Sequence, residues 1–139
     1  MIASVLDSSL SATSAVGQTF GERLTEQQEV LAAFSDLIIE LYLGESALLR
    51  TLKARKRGAQ AATMTDLTLV FVNDSVGRME QHARTALAAM AGGDELKSRL
   101  AAARRLLHWT PLDTVAMRRR LAARLLTVGS YEALVAPEA

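Results

Sequence analysis

The sequence predicts an all-α fold, an antiparallel up-down-up-down four-helix bundle with one long and one short helical hairpin. Three observations point there. Half of the residues are apolar but only 4% are aromatic, and Ala, Leu and Arg dominate, so good helix formers can bury a core. Eight glycines and two prolines are too few for the many turns of a sandwich or barrel. Apolar residues also recur at helical spacing over long stretches, with glycines between the stretches. At 139 residues the chain fits one domain.

The first helix is expected over residues 22–57. Leu24, Leu31, Phe34, Ile38, Leu41, Leu48 and Leu52 fall on about one face. Lys53, Arg55, Lys56 and Arg57 then precede Gly58, cations at the negative end of the helix dipole. The second helix, residues 61–91, carries Met64, Leu67, Phe71, Met79, Ala86 and Met90, with Ser75 and His82 on the same face. Gly92-Gly93 ends it. Asp94 is the expected cap of a third helix, residues 95–108, with the narrow stripe Leu96, Leu100, Ala103 and Leu107. Thr110-Pro111-Leu112-Asp113 reads as the start of a fourth, residues 111–128, in which Thr110 caps and Pro111 occupies the first turn. Gly129 stops it. Residues 1–21 read as a tether or a short helix, residues 22–131 as the bundle and residues 132–139 as a tail. Short connections make successive helices antiparallel neighbours.

Composition and motifs exclude more than they assign. A net charge of +1 recruits neither nucleic acid nor an anionic membrane by bulk charge. No cysteine is present, which removes thiolate chemistry and suits a reducing cytoplasm, the expected location. No apolar run is long enough to span a bilayer. Gly92-Gly93 lacks the spacing and the lysine of a phosphate loop. Glu80-Gln81-His82 has the wrong spacing for a di-iron bundle, and only two histidines exist. His82 reads as a hydrogen-bonded core residue and His108 as a helix-end residue. The basic clusters, Lys53 to Arg57 and Arg118-Arg119-Arg120 with Arg124, lack the interleaved aromatics of a nucleic-acid site. Membrane contact through them is left open, without support. No catalytic, cofactor-binding or metal-binding residue is assigned.

Glu45 is the odd residue. Counting about 100° per residue, it falls between Leu41, Leu48, Leu52 and Ile38 on the expected buried stripe. A carboxylate there needs a donor or cation. If the first two helices fold back near Gly58, Arg78 lies within reach, so a buried Glu45–Arg78 pair is expected.

Two stretches carry a family likeness. Asp36 to Lys53 (DLIIELYLGESALLRTLK) and Met64 to Leu125, with GGDEL and WTPLDTVAMRRRLAARL, resemble the C-terminal helical extension of certain bacterial acyl-CoA dehydrogenases, of the very-long-chain type. The resemblance spans residues 22–131, and its motifs are packing and capping motifs. It implies a parent enzyme that uses FAD to oxidise acyl-CoA thioesters in fatty-acid oxidation. In that family the flavin, thioester pocket and catalytic glutamate belong to a preceding core, so this chain needs no cofactor and Glu45 is not the family's base. The alternative is a freestanding helical adaptor or regulator.

The first two helices would each run on the order of 45–50 Å at about 1.5 Å per residue, and the last two about half that. The hairpin end near Gly58 would stay uncovered, presenting Leu48, Leu49, Leu52, Met64, Leu67 and Phe71. Such a patch is rarely left to water. The expected cover is a protein surface, either the dehydrogenase core or a second copy of the domain in a homo-oligomer. The tether is the competing cover.

Overall fold

A computed structural model describes residues 26–56 and 61–135. The tether, the turn around Gly58 and residues 136–139 of the expected tail lie outside the described residues. Among those described there is no strand, and the all-α class holds. The helices are α1 (Gln28–Lys56), α2 (Ala61–Met90), α3 (Gly93–Leu106), α4 (Thr114–Val128) and a short α5 (Tyr131–Val135). No periodicity announces α5, which forms where a tail is expected to begin. Its Leu134 is buried, and the Leu134 N–H donates to Ser130 O at 3.1 Å.

Contacts divide the chain into two compact units where the sequence suggests one domain. The first runs up to Tyr42 and takes Ser75–Trp109; the second comprises Leu43–Asp74 and the chain from Thr110 onward. In the first unit Val30 and Ala33 of α1 pack with Ala86 of α2, and Phe34 and Met90 close over them. Leu41 and Met79 are also buried. In the second unit the buried residues of α1 and α2 are Thr51, Thr63, Met64 and Thr68. The hydroxyls of Thr51 and Thr68 lie 2.6 Å apart. Met64 O is 3.2 Å from the Thr51 hydroxyl and Ala47 O is 3.4 Å from that of Thr68. Whichever threonine donates to the other, the second donates to a carbonyl, so both are satisfied without water.

The stripe expected on α2 is found: Met64, Ser75, Met79 and Ala86 are buried. The stripe expected on α1 is not. Val30, Ala33, Leu41 and Thr51 are buried, whereas Ile38 and Leu52 are exposed. At 3.6 residues per turn the inward face is rotated by roughly a quarter turn from the expected one. The largest aliphatics mark the wrong face, because the one that meets α2 is built from small and hydroxylated side chains.

Helix starts also differ. Gly92, not Asp94, precedes α3, and Gly93 opens it with φ +57°, a conformation glycine reaches without a Cβ clash. Asp94 lies inside the first turn and pairs with Lys97 at 2.8 Å. Leu96, Leu100, Ala103 and Leu107 are all half-buried, as their spacing requires. Neither Thr110 nor Pro111 starts α4. Asn73 Oδ1 accepts the Leu112 N–H at 3.1 Å and holds that segment against α2. The cap falls to Asp113, whose carboxylate accepts the Ala116 N–H at 2.9 Å. Two arginine–aspartate pairs then fasten α4 to α2: Arg120 forks onto Asp66, with both bonds 2.9 Å, and Arg118 reaches Asp74.

Two substitutions test these assignments. Asp113→Ala removes the α4 cap and is expected to lower stability by about 1 kcal/mol in urea denaturation. Gly77 sits inside α2, and a Cβ there would meet nothing within 4 Å. Gly77→Ala should therefore raise stability by about 0.5–1 kcal/mol in the same measurement.

Candidate docking surface

The polar cluster expected at Glu45 is built instead around Glu40. Ser75, almost fully buried on α2, donates its hydroxyl to Glu40 Oε2 at 2.7 Å. Arg78, one turn further along α2, grips the same carboxylate through Nε and Nη2, the second bond at 2.8 Å. Its Nη2 also lies 3.0 Å from Ser75 Oγ. The expected partner of Arg78 was Glu45, and this is corrected by the rotation of α1, which turns Glu40 toward α2. Glu45 is half-buried. One helix turn away in the same unit, Asp36 Oδ2 lies 3.6 Å from His82 Nδ1. His82 is a half-buried surface neighbour of an acid rather than a core residue.

The guanidinium hydrogen bonds of Arg78 hold the Glu40 carboxyl below its ordinary value of 4.5, against the upward push of burial, and the Ser75 bond adds to them. The Glu40 side chain is only 14% exposed. This is the chemistry of a structural clamp: three of the four lone-pair sites of the carboxylate accept donors from α2. Among the described residues no group of three or more His, Cys, Asp or Glu could hold a metal ion. No described helix is long and apolar enough to cross a membrane.

What the surface offers is apolar. Of the six residues expected at an interface, Leu48, Leu49 and Leu52 are exposed. Leu67 and Phe71 are half-buried. Met64 is buried and belongs to the interior of its unit. Met64, Leu67 and Phe71 do come together, as lining of an open groove between α1 and α2 that Leu43, Arg50 and Tyr131 complete. Sequence reasoning missed Ile38, Ile39 and Tyr42, all exposed on α1. Tyr42 and Leu49 stand seven residues apart, a signal that was available.

Comparison with known proteins identifies this arrangement. Residues 9–105 match the family described as acyl-CoA dehydrogenase, C-terminal domain. The chain belongs to that family. A probable acyl-CoA dehydrogenase of Bacillus subtilis is 35% identical over 124 residues, covering 88% of this chain and 21% of that protein. The crystal structure of an acyl-CoA dehydrogenase complexed with FAD from Bacillus anthracis superposes with a TM-score of 0.85 at 31% identity. It covers 91% of this chain and 22% of that one. This acyl-CoA dehydrogenase C-terminal domain thus spans about a fifth of the length of the relatives it matches.

The clamp makes acid stability a direct readout. Because the folded Glu40 pKa is depressed, its contribution is present above the unfolded value of 4.5 and is lost as pH falls through the lower folded value. Glu40→Gln keeps an acceptor oxygen but no charge. It should cost about 1–3 kcal/mol near neutral pH and flatten the stability profile below pH 4.5, measured by urea midpoints across a pH series.

Proposed function

We propose that this chain is the non-catalytic C-terminal helical domain of an FAD-dependent acyl-CoA dehydrogenase acting in fatty-acid oxidation. Its role is to attach and assemble the larger enzyme. One observation carries the reading: the match takes in nine-tenths of this chain but only 22% of an enzyme whose structure holds FAD. Flavin and acyl-CoA chemistry would reside in the other four-fifths. The side chains here are spent on helix register, capping and an apolar exterior. Exposed Leu48, Leu49 and Leu52, with half-buried Leu67 and Phe71, supply the surface for either the dehydrogenase portion or a second copy. Each such side chain gains roughly 1.5–3 kcal/mol when fully buried. A cytoplasmic setting fits a chain without cysteine.

The purified chain should be colourless and should not oxidise acyl-CoA with an artificial electron acceptor. A flavin spectrum from it would sink the assignment of chemistry elsewhere. Joined to the dehydrogenase portion, the polypeptide should bind flavin, and loss of residues 22–135 should impair assembly while leaving flavin bound. A joined polypeptide without flavin would favour a freestanding adaptor.

A further inference from the structure

We draw no further inference here: the strongest candidate, the open apolar groove between α1 and α2 lined by Leu43, Arg50, Leu67, Phe71 and Tyr131, carries nothing because nothing in the structure shows what covers it.

Discussion

Close approach of α1 and α2 governs where the other side chains of this protein can go. Side chains between two helices set how near their axes come, and here they are small: Ala33 with Ala86 in one unit, Thr51 with Thr68 in the other. Val30, Leu41, Met64 and Met79 add the larger inward contacts. A helix that spends its inner face on alanine and threonine still has its leucines and isoleucines to place. On α1 they go outward, which is why a protein half apolar in composition shows so many large hydrophobic side chains to its surroundings.

Apolar contact between small residues is permissive about sliding; hydrogen bonds are not. Glu40 meets both Ser75 and Arg78 only when α1 and α2 are in one register, and the Thr51–Thr68 contact makes the same demand in its own unit. Arg78 is nearly half exposed, so its charge is partly hydrated and its Coulomb contribution modest. The contribution to specificity is larger, because a shift of one residue would bury a hydroxyl and a carboxylate without partners. Among the described residues no buried side-chain polar atom lacks a partner.

The all-α class and the four longer helices are legible because glycines, cations at helix ends and 3.6-residue periodicity agree over long stretches. The phase of α2 is legible because Met64, Met79 and Ala86 fall on one face with Ser75. The phase of α1 is not, since two apolar faces compete there and the bulkier one faces out. That single rotation accounts for Glu45 standing out where Glu40 is the paired acid, and for Ile38 and Leu52 being expected inside. Asp113 is recognisable as favourable to the dipole but not as the cap, because the Asn73 contact that delays α4 joins residues 39 apart in sequence. Leu134 escapes notice for a related reason: five residues carry too little periodicity to show which neighbour buries them.

The threonine pair also constrains how such domains can diverge. Valine matches threonine in shape, so an exchange of both Thr51 and Thr68 would exchange two hydroxyls for two methyls with little net change. An exchange of one alone removes half of a mutual contact in a place water does not reach. The first step is uphill and the second downhill, a coupling expected of residues in direct contact. Lineages would therefore tend to cross between the hydroxyl and the methyl forms in paired steps, and these two positions, 17 residues apart, would keep a record of it as correlated change.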